Sequence, residues 1–287
     1  MHHWHPQLDW LRLLPPEDFR FRMGLRPGAA RDFFAPSPDA DRVLRERAQW
    51  VASAPDQHLA LTAAGIPLFA EFADWLESGR DESEAARSAA ATEDLALANA
   101  RLAAFTTRWE PDLVFLSPDR SGVLRVTGGA VCFPSSWALA EKMGQTLAEV
   151  HGPVPGLNAR LGAKIDAALA RLPPDIGWFR ENWGLAGDAE LNRHPARGLP
   201  PLGAEAPLDR TWLRLEHQVL LRLPATDGVV FAIRVTIHPL AQVVCEPACR
   251  GTLARALRTM PPDVAAYKGL AAARDRLLAQ LEPTGTP

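Results

Sequence analysis

One histidine, one glutamate and a small set of arginines carry most of the chemistry legible in this chain. His151 stands directly before Gly152-Pro153-Val154-Pro155-Gly156, a loop stiffened by two prolines. At a helix end beside such a loop, an imidazole nitrogen is aimed with little freedom left to lose, which is what an axial metal ligand requires. The same position also suits a histidine that only caps the last carbonyls of its helix and complements its dipole. Spacing alone leaves both readings open.

Glu216 lies in a run, Trp212–Leu223, with the period-two alternation of a strand. That period puts Arg214, Glu216, Gln218 and Arg222 on one face and Leu213, Leu215, His217, Val219 and Leu221 on the other. Glu216 could hold a cationic substrate or relay a proton, with Arg214 or Arg222 setting its ionisation. The plainer alternative is the solvated face of a half-exposed hairpin. On the apolar face His217 is joined, for either short-loop register, by Arg234, Thr236 and His238. Polar groups there form a buried hydrogen-bonded set or face the metal and acid groups of a cofactor. Arg180-Glu181-Asn182-Trp183 sets charge beside Trp178 and Trp183, as the edge of an anionic cofactor or as strand-end packing.

Other candidates are weaker. Met1-His2-His3-Trp4-His5 offers imidazoles for a metal, but reads as a mobile terminus. Cys245 and Cys249 are four residues apart with no second pair, which argues against a zinc site. No complete dinucleotide fingerprint, phosphate loop, HExxH or GxSxG pattern occurs, so nucleotide, metalloprotease and serine-hydrolase chemistry lack support.

The elements that must position these residues change character along the chain. Asp41–Val51, Leu59–Trp75 and Glu82–Phe105 have helical spacing, with Pro67 breaking or kinking the second. From Asp112 onward short apolar runs dominate. Leu113–Leu116 and Val123–Val126 read as a hairpin, and Gly128-Gly129 leads to a third strand at Ala130–Phe133. A helix is expected from the serines after Pro134 through about Glu149, and another over Leu157–Leu172. Gly177–Leu185 is a candidate strand, and Ala186–Asp209 reads as a long surface excursion. Trp212–Leu223 and Val229–His238 form an antiparallel hairpin around Pro224-Ala225-Thr226-Asp227-Gly228. The tail, Gly251–Thr259 and Pro262–Leu281, is helical. The pattern is α+β, with an N-terminal helical region, 1–110, packed on a core, 111–287.

With 287 residues, 47% of them hydrophobic, the chain can bury a core without disulfides or structural metal. A net charge of −3 without long like-charge blocks gives no electrostatic reason to expect nucleic acid or an anionic membrane as partner. Three cysteines, Cys132, Cys245 and Cys249, suit buried thiols in a reducing compartment. No run is long enough for a membrane span and no signal core is visible, so a cytoplasmic location is expected. Oligomeric state stays open.

Taken together, several blocks resemble the haem-dependent oxidative N-demethylase family. They are Gly128-Gly129-Ala130-Val131-Cys132-Phe133-Pro134-Ser135-Ser136-Trp137, Glu141-Lys142-Met143-Gly144, His151-Gly152-Pro153-Val154-Pro155-Gly156, Arg180-Glu181-Asn182-Trp183, Leu213–Pro224 and Tyr267-Lys268-Gly269-Leu270. The likeness runs in consistent order from about Phe19 to Leu270, and Met23-Gly24-Leu25-Arg26-Pro27 resembles the family's opening. It implies a PAS-like antiparallel sheet holding haem b, and oxidative removal of a methyl group from a small secondary amine such as dimethylamine, with dioxygen consumed and formaldehyde released. Electrons would come from separate flavin and iron–sulfur partner proteins. On this resemblance His151 becomes the axial iron ligand and Glu216 the distal carboxylate that orients the amine, while Arg180 and Arg234 are candidates for the haem propionates. This sequence departs from the family where His217 and Val219 replace the usual arginine and threonine, and where Val235-Thr236-Ile237-His238 stands for the usual Thr-Tyr. Those departures make His217 and His238 rival ligands. A haem-binding sensor or carrier without catalysis is the alternative function, since fold does not fix activity.

Overall fold

The computed structural model describes residues 3–5, 8–78 and 94–282. Its centre is a seven-stranded antiparallel sheet in the order β1-β5-β6-β7-β3-β4-β2. The strands are β1 (Arg26–Gly28), β2 (Leu59–Leu61), β3 (Asp112–Pro118), β4 (Leu124–Ala130), β5 (Gly177–Ala186), β6 (Trp212–Arg222) and β7 (Val229–Pro239). Helices flank it, as the α+β pattern of the sequence requires.

The β6–β7 hairpin is the spine. Its two strands of 11 residues pair from Trp212↔Pro239 to Arg222↔Val229, and Leu223 N donates to Gly228 O at 2.9 Å to close the turn. Alternation then sorts the side chains. The odd-numbered β6 residues pack under helices at both ends: Val219 and Leu221 join Phe69, Phe72 and Phe105 of the N-terminal helices, and Leu213 and Leu215 join Leu253, Leu257 and Leu277 of the C-terminal ones. Each such side chain contributes about 1.5–3 kcal/mol by leaving water. The even-numbered face is covered differently, by segment 131–172, through Val131, Leu139, Leu169 and Leu172.

A buried ion pair fixes where that segment begins. Arg47, fully buried on the helix Ala40–Ser53, donates to Asp112 Oδ1 at 2.8 Å. Asp112 in turn accepts from the backbone N–H groups of Cys132 and Phe133 at 2.8 and 2.9 Å. Both charges are compensated, the condition for burying them.

Several local expectations need correction. Leu59–Trp75 is not one helix: Leu59–Leu61 is an edge strand on β4, and Pro67 falls in the first turn of the helix Ile66–Ser78, where a missing N–H costs nothing. With β1 and β2 the region before Asp112 supplies both outer strands of the sheet, so it is not purely helical. The helix expected over Glu82–Phe105 is described only as Leu95–Thr106; residues 82–93 lie outside the described residues. Gly128 and Gly129 do not separate two strands but lie inside β4, and Ala130 is its last residue. Both are needed for close approach: a Cβ on Gly128 would stand 2.5 Å from Leu61 Cδ1, and one on Gly129 would meet the Leu113 carbonyl oxygen. No long helix spans 134–149; a 3₁₀ turn, Ala140–Lys142, and the short helix Leu147–His151 take its place, the latter started by Thr146 and Glu149 in a reciprocal capping box. Residues 186–209 are no simple surface excursion, because Leu191, Asn192, Leu202 and Ala206 are buried. Cys132 and Cys249 are buried as expected, but Cys245 is exposed.

Candidate functional site

The pairing of β5 with β6 sets Arg180 opposite Gln218, Asn182 opposite Glu216 and Gly184 opposite Arg214. All six residues therefore share the even face. Glu216, 9% exposed, is held by three donors: Ser135 Oγ at 2.5 Å on Oε1, and Gln218 Nε2 at 2.7 Å and Asn182 Nδ2 at 3.3 Å on Oε2. Ser135 also accepts from Arg214 Nε at 2.8 Å, so one hydroxyl links the guanidinium to the carboxylate. Arg214 is fixed in turn by the carbonyls of Phe133 and Leu191, each at 2.7 Å, and of Glu190 at 2.9 Å. Burial pulls its pKa down to about 10, with Glu216 opposing.

The Ser135 turn is built for this contact. Pro134 and Ser136 exchange backbone hydrogen bonds with Arg193, each at 3.2 Å, and Ser136 takes a left-handed backbone with φ of 64°. Such a conformation costs a non-glycine residue energy and persists only where its surroundings enforce it.

His151 is the last residue of Leu147–His151, half-buried, and its ring makes no hydrogen bond among the described residues. Burial, then the charge of Arg180, push its pKa below the usual histidine value. Arg180 makes no ion pair or hydrogen bond among the described residues either, and its Nε is buried without a partner. Burial lowers its pKa, while Glu216 and Glu181 pull the other way. Two further buried polar atoms on this face lack partners, Trp178 Nε1 and Gln218 Oε1. Trp178, Leu220, Phe231, Val235 and Ile237 are only half-buried although they sit in the sheet's middle, and a Cβ added at Gly184 would meet nothing within 4 Å. The even face thus sets half-buried apolar side chains beside a carboxylate and buried polar atoms without partners among the described residues, and Arg180 on this face acts electrostatically on His151.

The other sequence candidates lie elsewhere. His217, Arg234 and His238 are on the odd face, as the alternation predicted, and each has a partner. His217 Nε2 and His238 Nε2 both lie 3.0 Å from Thr236 Oγ1, and their rings meet Trp4 and Trp10 edge-on. Burial drives His217 down to about 4. Arg234 pairs with Glu110 at 2.9 Å, donates to the carbonyls of Phe33 and Ala35, and stacks on Trp4. Arg222 shares the face of Glu216 but stands at the hairpin end, where it binds Asp227 and caps the Leu169 carbonyl at 3.0 Å. Glu181, beside Arg180 in sequence, turns to the odd face and pairs with Arg26 at 2.6 Å.

Sequence reasoning gave no part in the site to Ser135, read only as a possible helix cap, or to Lys268. Ser135 is 81 residues from its partner Glu216, a separation with no local pattern to mark it. Lys268 joins the site through the edge of β5, where its Nζ donates to Trp183 O at 2.7 Å. Among the described residues no helix is long and apolar enough to cross a membrane. A family model described as haem-dependent oxidative N-demethylase, alpha subunit-like, matches residues 67–278, a span that contains every even-face residue named above.

Proposed function

We propose that this chain, which belongs to the haem-dependent oxidative N-demethylase alpha subunit-like family, removes a methyl group from a small secondary amine of the dimethylamine type and releases formaldehyde. The observation that supports this reading is the set of buried polar atoms on one sheet face without partners among the described residues, Trp178 Nε1, Arg180 Nε and Gln218 Oε1, with Arg180 acting electrostatically on His151. Buried polar groups are ordinarily paired, so an unpaired cluster beside half-buried apolar side chains fits a large planar ligand bearing carboxylates.

On this reading His151 would hold the iron of haem b. Burial, then the charge of Arg180, lowers its pKa and so favours the uncharged ring that a metal ligand needs. His217 and His238 are less suited, because both already share the Thr236 hydroxyl behind the sheet. Arg180, without a partner among the described residues, would be the propionate contact, whereas Arg234 is consumed by Glu110. The haem, when bound, supplies the redox chemistry that activates dioxygen, with electrons from flavin and iron–sulfur partner proteins.

The protein's own contribution centres on Glu216. Its carboxylate receives the protonated amine and offsets the cost of bringing an ammonium into a low-dielectric recess. Three donors fix the orientation of both its oxygens, and Arg214, acting through Ser135, positions it. The net conversion is dimethylamine, dioxygen, two electrons and two protons to methylamine, formaldehyde and water.

The test is an optical spectrum of the purified protein, followed by formaldehyde assay with dimethylamine and a reductant. A Soret band with stoichiometric iron and formaldehyde release are expected. A Soret band without formaldehyde would replace the enzyme by a haem-binding sensor or carrier. Full haem occupancy with an unchanged spectrum in His151→Ala would remove His151 as the iron ligand, and unchanged amine binding in Glu216→Gln would remove the amine-binding role of Glu216.

A further inference from the structure

Among the described residues, two cations beside this site have no carboxylate in contact. Arg180 has no hydrogen-bonding partner among the described residues, and its Nε is buried. Lys268 Nζ has one acceptor, the Trp183 carbonyl at 2.7 Å, and lies 5.1 Å from the centroid of the Trp183 ring. Glu216 influences both cations electrostatically, yet its oxygens are engaged by Ser135, Asn182 and Gln218 instead. Both residues are half-buried, and a positive charge drawn partly out of water without a counter-charge in contact is costly, so the pair suits an anion.

The backbone holds Lys268 in position for this. It follows the helix Pro262–Tyr267, whose end is closed by Lys268 N to Val264 O at 2.9 Å, Gly269 N to Ala266 O at 3.0 Å and Leu270 N to Ala265 O at 2.8 Å. Gly269 supplies the left-handed turn with φ of 68°, and Leu270 is fully buried. Because β1 pairs only with Gly177–Phe179, the edge of β5 beyond Phe179 is open to this lysine.

We propose that Arg180 and Lys268 form a two-cation seat for a carboxylate, placed along β5 from the amine-binding Glu216. A guanidinium receives a carboxylate through two parallel donors and an ammonium adds a point charge. The carboxylate has two sources: a haem propionate, in which case the seat rests on the haem reading above, or the acid group of an N-methylated amino acid, in which case the substrate carries both a cationic amine for Glu216 and an anion for the seat.

Titrating the full-length haem-free protein with protohaem and with its dimethyl ester, and separately with sarcosine and with dimethylamine, decides the matter. For a propionate seat the wild type prefers the free acid to the ester by about ten-fold or more. Lys268→Met and Lys268→Gln remove most of that preference, while Lys268→Arg restores it. For a substrate seat the porphyrin preference is unchanged in Lys268→Met, but sarcosine binding falls while dimethylamine binding holds. If Lys268→Met folds with wild-type thermal stability and changes neither ratio, Lys268 only ties its helix to β5 and the seat is overturned. If the wild type takes up no porphyrin but binds sarcosine in a Lys268-dependent way, the haem reading fails and the seat stands. If it binds neither, both fall.

Discussion

The Ser135 hydroxyl lies 2.5 Å from Glu216 Oε1 and connects that carboxylate to Arg214, 2.8 Å away on its other side. Glu216 and Arg214 are two apart on one strand face, yet neither touches the other directly. Their coupling runs through a residue of the loop that follows β4 and covers the same face of the sheet, so the carboxylate's orientation depends on the 133–136 turn as much as on β6.

Ser135→Ala should therefore impair amine binding more than it impairs folding. It removes one of three donors to Glu216 and leaves Arg214 Nε unpaired, a stability cost of about 1–3 kcal/mol. Urea unfolding measures the cost, and amine-induced spectral change measures the binding defect. Ser135→Thr, which keeps the hydroxyl, should recover most of both. Equal amine affinity in Ser135→Ala and wild type would show that Ser135 does not position Glu216.

Breaking the buried pair of Arg47 and Asp112 should be far more damaging. Arg47→Ala strands Asp112 in the core with only two backbone donors, at an expected cost of about 3–5 kcal/mol in denaturant unfolding. Because Asp112 anchors Cys132 and Phe133, the loss should also loosen the Ser135 turn. Faster amide exchange at 131–136 would report it.

Stability should fall as the pH drops below neutrality. His58, His151, His194, His217 and His238 all have pKa values below the usual 6.5, with burial as the leading cause. In the unfolded chain they protonate near 6.5, while the native state resists, so the unfolded state binds more protons and gains. The stabilisation is complete above pH 6.5 and declines toward pH 4, the native value of His217. The slope is at most about 1.4 kcal/mol per pH unit for each histidine. Thermal melts between pH 5 and 8 test this, and His217→Gln should flatten the acid side of the curve.

Gly129→Ala should destabilise the sheet by roughly 1–3 kcal/mol, because the new Cβ meets the Leu113 carbonyl and lies 3.1 Å from Val114 Cα. Gly251→Ala, on the helix Pro247–Thr259 with nothing within 4 Å of its Cβ, is the control and should gain about 0.5–1 kcal/mol. Comparison of urea midpoints separates close approach from the general cost of glycine.

The sequence by itself determined the β6–β7 hairpin and the partition of its side chains, because alternation is a local property that a pleated strand must obey. It placed Arg214 and Glu216 on one face and His217 on the other, and its motifs carried the family. It misjudged 134–149, where serines and apolar spacing imitate a helix while the backbone of Cys132 and Phe133 is committed to Asp112 and that of Pro134 and Ser136 to Arg193. Tertiary structure alone decided which polar residues are left without partners. Arg234 and Arg180 look alike in the sequence, but the first is taken up by Glu110 and Trp4, while the second has no hydrogen-bonding partner among the described residues. Ser135 and Lys268 reach the site from loops far from β6 in sequence, and hydrogen bonding across such separations is set by how the layers close on one another, which no local period encodes.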